Sequence, residues 1–284
     1  MHVYPHFLEE ISSDPERVEF RKKVTGIYKP RIFPVSFLLK RMHSGGINKA
    51  VLHAMDYTTK HGDTVVSNEE VARLVSEFPD DFYGFGSVDP YRDDALDVVE
   101  KAFTEQGLHG LVLDPGQQMF YPNAPELYPI YGKCVQHNKP VFLHMGISLE
   151  PGSRNKFTQL IYLDDVLTDF PQLRVGITGF GWPYVKEAAT LMLKHVNLYT
   201  DTALLYFDSA ATFYNRVMKE ELGPLWIDSA LFQQVMFGTC SGHFNQLRQA
   251  DAIKKVPFHK RSIESIYEIN ARVFMGLEER RPVE

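Results

Sequence analysis

The residues with the clearest capacity for chemistry lie at positions 140–146, Pro-Val-Phe-Leu-His-Met-Gly, where an apolar run ends in one histidine and one glycine. An apolar run without polar alternation is typical of a strand buried on both faces of a parallel sheet. His144 falls at the C-terminal end of this strand, where parallel barrels carry their active sites. A single histidine has no metal-ligand spacing, so a site residue and a core histidine hydrogen-bonded to backbone both stay open.

Two side chains near the start of the chain are candidates for the same site. His2 and Tyr4 are two positions apart, and residues at that spacing point to the same side of a strand. The histidine can carry a proton or bind a metal, and the tyrosine can donate a hydrogen bond to a bound anion. For Tyr4, a ring that merely packs in the core is the alternative.

Cys240 follows the last predicted strand and has two readings. It can be a nucleophile activated by His2 or His144, or a buried cysteine that behaves as a small hydrophobe. Further polar residues come directly after other predicted strands, which places them on the catalytic face of a barrel. Together with one aromatic residue, these form the predicted substrate pocket: His53, Asp114, Trp182, Asp201 and His243.

Strand and helix patterns alternate along the whole chain. After a strand fragment at the N-terminus, apolar runs predict strands at 47–54, 82–88, 108–113, 140–143, 173–177, 197–200 and 234–237. Helical spacing predicts helices at 69–78, capped by Ser67 or Asn68, and at 93–105, 127–137, 157–170, 184–195 and 262–275. Residues 7–45 read as a loop with short helices. Eight strands alternating with helices predict the α/β class and a single (β/α)8 TIM barrel, one domain spanning 1–284.

Composition narrows the classes of function. The 284 residues are 44% hydrophobic and 23% charged, with a formal net charge of −6 and no basic run interleaved with aromatics, which argues against a nucleic-acid partner. No apolar run reaches the roughly 20 residues of a membrane span, and the first residues lack an export pattern. Two cysteines make no disulfide framework and suit a reducing cytoplasm. A nucleotide cofactor has no support, since no glycine-rich phosphate loop occurs.

Several sequence landmarks resemble one known family. Residues 121–129, Tyr-Pro-Asn-Ala-Pro-Glu-Leu-Tyr-Pro, followed by 140–146, are similar to the amidohydrolase-related proteins of the aminocarboxymuconate-semialdehyde decarboxylase type. The similarity continues through further landmarks in the same order: Phe-Pro-Gln-Leu-Arg-Val at 170–175, Asn-Leu-Tyr-Thr-Asp-Thr at 197–202, Phe-Gly-Thr-Cys at 237–240 and Asn-Ala-Arg-Val-Phe at 270–274. The resemblance spans nearly the whole chain and implies a TIM barrel.

The resemblance also implies a divalent-metal site, from which this sequence departs. The family opens with His-x-His on its first strand, where this chain has His2 but Tyr4. The family histidine of the fifth strand is retained as His144, whereas the one after the sixth strand corresponds to Gly179. The family aspartate of the eighth strand is replaced by Cys240. His2, His144 and Cys240 can still form a zinc-type set, since zinc accepts both nitrogen and sulfur. We expect Phe180 or Trp182 to fill the space left at Gly179.

Three readings of function follow. The first is a hydrolase or decarboxylase of the amidohydrolase superfamily with an altered metal site, acting on a small carboxylated or lactone-like ring compound; this substrate class is what the resemblance implies. The second is a metal-free barrel that binds a small ligand without turnover. The third is a metal-independent, lactonase-like hydrolase in which protein donors polarise the carbonyl and a side chain activates water. Each takes a small molecule as partner, and a homo-oligomer is compatible with all three.

Overall fold

A computed structural model describes residues 2–203, 209–239 and 245–280 of the chain. Eight parallel strands form one curled sheet in sequential order, each hydrogen-bonded to the next. They are β1 His2–Val3, β2 Ala50–His53, β3 Phe82–Gly86, β4 Gly110–Leu113, β5 Val141–Leu143, β6 Val175–Ile177, β7 Leu198–Asp201 and β8 Val235–Met236. With helices between consecutive strands, this is the predicted (β/α)8 TIM-barrel class.

Helices surround the sheet and cover its outer face. They are α1 Pro15–Thr25, α2 Val35–Ser44, α3 Thr58–His61, α4 Asn68–Glu77, α5 Ala95–Thr104, α6 Pro115–Gln118, α7 Tyr128–Gln136, α8 Tyr162–Asp169, α9 Val185–Lys194, α10 Ala210–Asn215, α11 Gln246–Lys255, α12 Lys260–Glu264 and α13 Asn270–Phe274. A short antiparallel pair, Met55–Asp56 with Thr64–Val66, lies between β2 and β3. None of the described helices is long and apolar enough to cross a membrane.

The predicted N-terminal cap of α4 is confirmed. The Ser67 hydroxyl accepts a hydrogen bond from the backbone N–H of Glu70, and the Glu70 carboxylate accepts one from the backbone N–H of Ser67. This reciprocal pair satisfies two of the backbone donors that a helix start leaves open. The apolar face of α4 then packs on β3, where Gly84 leaves room for Val71 and Leu108.

Two parts of the helix prediction need correction. The helix predicted at 157–170 begins only at Tyr162, because residues 155–157 form a 3-10 turn whose Thr158 side chain is buried against the loop after β5. By contrast, the closing helix predicted at 262–275 is confirmed, since α12, a π-helical turn at Ser265–Ile269 and α13 follow one another without a break. Helices α10 and α11 have no counterpart in the prediction, since their apolar residues are interspersed with polar ones that are themselves buried, such as Gln246 and Gln249.

Candidate active site

Polar side chains from five strands meet on the barrel axis at the C-terminal ends of the strands. His2 lies on β1 and Tyr4 follows it, His53 ends β2, Asp114 follows β4, and His144 follows β5. Asp201 ends β7 and completes this group. Each of these strands is short and buried, so its last residue is held at the rim with little freedom.

Tyr4, His144 and Asp114 form a continuous hydrogen-bonded chain. The Tyr4 hydroxyl oxygen lies 2.8 Å from His144 Nε2, and His144 Nδ1 lies 3.2 Å from Asp114 Oδ2. The Tyr57 hydroxyl donates a further hydrogen bond to Asp114 Oδ2 at 3.3 Å. Both ring nitrogens of His144 are therefore engaged by protein groups, which sets the orientation of its ring.

The surroundings favour a protonated His144. Burial by itself lowers the pKa of this imidazole, but the hydrogen bond that it donates to Asp114 and the negative charges of Asp114, Glu150 and Asp201 outweigh this effect, so the pKa is raised above its usual value. For Tyr57, burial and the adjacent Asp114 charge raise the pKa well above the ordinary phenol value. Tyr57 is consequently a fixed neutral donor, whereas the raised pKa of His144 favours its protonated form.

Asp201 connects β1, β6 and β7 on the other side of the axis. His2 Nδ1 lies 2.8 Å from Asp201 Oδ2, and both side chains are almost wholly buried. Asp201 Oδ1 accepts hydrogen bonds from the backbone N–H groups of Gly179 and Ala203. Because a buried carboxylate is costly unless it is well hydrogen-bonded, these contacts fix Asp201 as a positioning group for His2.

His53 lies at the centre of the aromatic side chains on the axis. Its ring is stacked on that of His2, with centroids 5.1 Å apart and planes 11° apart, and Tyr4 meets it edge-on at 5.6 Å. Phe85 and Phe142 enclose it from below. Complete burial and the nearby His2 and His144 hold the pKa of His53 well below its ordinary value, so this imidazole stays neutral.

We expect His53 to make the protein less stable in acid. Its pKa in the folded state is lowered from about 6.5, so below that pH the unfolded chain binds a proton that the folded chain does not. Stability is then lost as pH falls. Replacing His53 by Phe, which keeps a ring in the stack, should flatten the pH dependence of the unfolding free energy between about pH 6.5 and 5, by at most about 2 kcal/mol. Urea unfolding of both proteins at the two pH values measures this. The same change in unfolding free energy with pH in wild type and variant would contradict the prediction.

A group that the sequence did not single out lies beside the hydrogen-bonded chain. The Glu150 carboxylate, in the loop after β5, accepts a hydrogen bond from Gln117 Nε2 on α6 at 3.1 Å. Lys60 Nζ on α3 donates to Gln117 Oε1 at 2.5 Å and to the Gly152 carbonyl oxygen at 2.8 Å. Neither residue ends a strand, so position along the sequence gave no signal for them. The general rule that the loops after barrel strands carry the active site is the one signal that indicates the loop after β5.

The turn at residues 179–181, after β6, has an unusual backbone. Gly179, Phe180 and Gly181 have φ values of 49°, 57° and 58°, in the left-handed region. Phe180 is completely buried, with its N–H bonded to Thr200 Oγ1, and the Trp182 ring contacts Phe213. The described ring contacts of these two aromatics do not include His2, Tyr4 or His144. The filling of the Gly179 space thus remains a prediction, and so does the place of Trp182 in the substrate pocket.

Cys240 and His243 lie outside the described residues. Their assignment as nucleophile or zinc ligand and as pocket residue therefore stays a prediction. Tyr4 contacts both His2 and His144, and both contacts belong to the predicted arrangement of the site.

The described donors alone do not fit a divalent metal. Within residues 2–203, 209–239 and 245–280, no three His, Cys, Asp or Glu side chains converge as a ligand group. The buried Nε2 atom of His2 has no hydrogen-bond partner there and is a suitable donor. However, His144 would have to give up its bond to Tyr4 or Asp114, and a tyrosine stands where a second imidazole is needed.

Comparison with known proteins assigns the family. Residues 14–254 match the family model described as amidohydrolase, which covers most of the chain. The protein therefore belongs to the amidohydrolase family. Comparison with curated proteins found no matching sequence.

Solved structures share the fold. An uncharacterised TIM-barrel protein from Bordetella bronchiseptica is 22% identical with a TM-score of 0.73, over 93% of this chain and 91% of that one. The 4-oxalomesaconate hydratase from Rhodopseudomonas palustris is 19% identical with a TM-score of 0.68, over 97% and 96%. A 5-carboxyvanillate decarboxylase from Novosphingobium aromaticivorans, solved with bound manganese, is 14% identical with a TM-score of 0.63, over 94% and 86%. At these identities the likeness concerns the fold.

Proposed function

We propose that this protein is a metal-independent hydrolase of the amidohydrolase family that opens a small carboxylated or lactone-like ring compound. The observation that carries this proposal is the hydrogen-bonded chain from Tyr4 through His144 to Asp114. It occupies both nitrogens of the one histidine that the family resemblance offers as a metal ligand on β5. The same contacts arrange that histidine for proton transfer.

The chain supplies a polarising group for a carbonyl oxygen. Asp114 keeps a proton on His144 Nδ1, and His144 Nε2 shares a second proton with the Tyr4 oxygen. When His144 is protonated, Tyr4 accepts from it and directs its own O–H away from the imidazole. A carbonyl oxygen placed there receives a hydrogen bond that strengthens as negative charge develops on attack by water. Through the Tyr4 hydroxyl, His144 then supplies the proton that the leaving oxygen needs.

The substrate class is supported by two features. The sequence landmarks at 121–129 and 140–146 resemble the aminocarboxymuconate-semialdehyde decarboxylase type, and we propose that subfamily for the chain. In addition, the Lys60 ammonium lies near Asp114 and Glu150 at the barrel mouth, where it can meet the carboxylate of a substrate. The low cysteine content, with Cys134 buried in α7, supports a reducing compartment such as the cytoplasm. The proposal treats residues 1–284 as one domain, and it is compatible with a homo-oligomer.

The test is hydrolysis in the presence of a chelator. Purified protein should open dihydrocoumarin or coumalate, a carboxylated pyrone, at the same rate before and after EDTA treatment. Loss of activity with EDTA and recovery with zinc or manganese would replace this proposal by the metal-dependent reading. Release of carbon dioxide from salicylate without lactone opening would favour decarboxylation. Saturable binding of coumalate without any turnover would favour the binding-only barrel.

A further inference from the structure

The proposed hydrolysis needs a group that takes a proton from water, and one carboxylate at the mouth is built for that task. The loop after β5 carries Glu150 to the side of α6, where Gln117 Nε2 donates to Glu150 Oε2 and to the Pro151 carbonyl oxygen. No hydrogen bond engages Glu150 Oε1 within the described part of the chain. One oxygen is thus anchored and the other is available to a water molecule.

The orientation of the Gln117 amide is determined by chemistry. Lys60 Nζ can only donate, so the Gln117 oxygen must face it, and the amide nitrogen must face Glu150. Lys60 is itself held by the Gly152 carbonyl oxygen in the same loop. Glu150 is consequently held by the Gln117 amide, whose orientation is in turn set by Lys60.

Glu150 is tied to the Tyr4–His144–Asp114 chain through Asp114. Asp114 Oδ2 contacts His144, while Asp114 Oδ1 accepts the backbone N–H of Gln117 at 2.9 Å. The loop after β5 packs so closely on α6 that a Cβ added at Gly116 would lie 2.2 Å from Ser153 Oγ. The same aspartate therefore sets the position of the imidazole and of the amide that holds Glu150.

We propose that Glu150 is the general base of this site, an inference that rests on the proposed function. Glu150 Oε1 removes a proton from water while the water oxygen bonds to the acyl carbon, and the carbonyl π electrons move onto the oxygen held by Tyr4. When the intermediate collapses, the ring C–O bond breaks and its electron pair goes to the leaving oxygen, which takes the Tyr4 hydroxyl proton while the Tyr4 oxygen receives one from His144 Nε2. The proton on Glu150 then returns through solvent to His144 and restores the starting state. One water and one lactone give one hydroxy acid, and no oxidant or reductant is needed.

The charges around Glu150 suit this role. Burial and the charge of Asp114 raise the pKa of this carboxyl to about 7, while His144, the Gln117 hydrogen bond and Lys60 act in the opposite direction. A base with a pKa near the working pH combines a sizeable ionised fraction with a real affinity for the proton. The charged groups that face Glu150 from the packed elements are Asp114, His144 and Lys60.

The experiment compares Glu150→Gln with the wild type on dihydrocoumarin. We expect kcat to fall about 100-fold with KM little changed, and the acidic limb of the kcat/KM profile, centred near pH 7, to disappear. Glu150→Asp should retain part of kcat. Glu187→Gln, an exposed carboxylate on α9, is the matched control and should behave as wild type. Hydroxylamine, which attacks without base assistance, should give hydroxamate with Glu150→Gln at nearly the wild-type rate.

The failures of the two proposals can be told apart. Wild-type kcat and an intact acidic limb in Glu150→Gln, with kcat still lowered about 10²–10³-fold by Tyr4→Phe, would overturn the role of Glu150 and leave the proposed function standing. Loss of the hydroxylamine reaction in both Glu150 variants would show that Glu150 does more than remove a proton, and would also overturn it. Absence of lactone hydrolysis in the wild type would overturn both.

Discussion

Replacing Tyr4 by Phe is expected to lower kcat for lactone hydrolysis by about 10²–10³-fold, the usual cost of removing one donor to a developing oxyanion. The change removes only the hydroxyl, 2.8 Å from His144 Nε2, and leaves the ring in its edge-on contacts with His2 and His53. Packing is therefore preserved, and the thermal unfolding midpoint should change little. Steady-state kinetics on dihydrocoumarin, with a thermal melt of each protein, measures both effects.

Tyr57→Phe is the matched control for this prediction. Its hydroxyl also belongs to the hydrogen-bonded group, but it donates to Asp114 and lies one step further from the substrate. We expect a much smaller fall in kcat, since His144 and Tyr4 remain in place. Equal losses in the two variants would mean that the hydroxyl of Tyr4 has no special access to the carbonyl. An unchanged kcat in Tyr4→Phe would contradict the proposed function itself.

Replacing Gly146 by Ala should lower the free energy of unfolding by about 3 kcal/mol. Gly146 follows His144 by two residues and has a φ of 89°, in the left-handed region that costs other residues about 1–2 kcal/mol. Its added Cβ would also lie 2.5 Å from the Gly181 carbonyl carbon and 2.6 Å from the Trp182 carbonyl oxygen. These are backbone atoms that cannot rotate away, so overpacking adds about 1–3 kcal/mol.

Gly62→Ala separates the two contributions. Gly62 has a φ of 83° but would bring its Cβ within 4 Å of nothing. This control should therefore lose only the conformational part, about 1–2 kcal/mol, and keep wild-type kinetics. Gly146→Ala should in addition impair hydrolysis, because the loops after β5 and β6 meet at this contact. Equal destabilisation of both variants in urea unfolding would show that the loop contact yields without cost.

Two features can be predicted from the amino-acid sequence: the class of fold, and the edge of the sheet that carries the candidate site. The apolar run at 140–146 needs no partner to be recognised as a buried strand, because a β-strand shows its burial in consecutive residues. Alternation with helices then implies a parallel barrel, and parallel strands bring their C-terminal ends to one mouth. The positions of His2, His53, Asp114 and His144 at this mouth follow from that rule alone. A cap of α4 by Ser67 or Asn68 can be predicted in the same way, since all atoms of the observed Ser67 cap lie within four residues.

The hydrogen-bond partners and the proton affinities of these residues, in contrast, follow only from the folded arrangement of the chain. The contact between Tyr4 and His144 joins residues 140 positions apart, and no local pattern encodes which of two ring nitrogens a distant hydroxyl will meet. The sequence gives no signal for Glu150, because its role depends on Gln117 of α6, which binds it, and on Lys60 of α3, which orients Gln117. Its proton affinity arises from burial and from the charge of Asp114, and both are properties of packing. Composition and spacing describe neighbours along the chain, whereas proton transfer depends on neighbours in space.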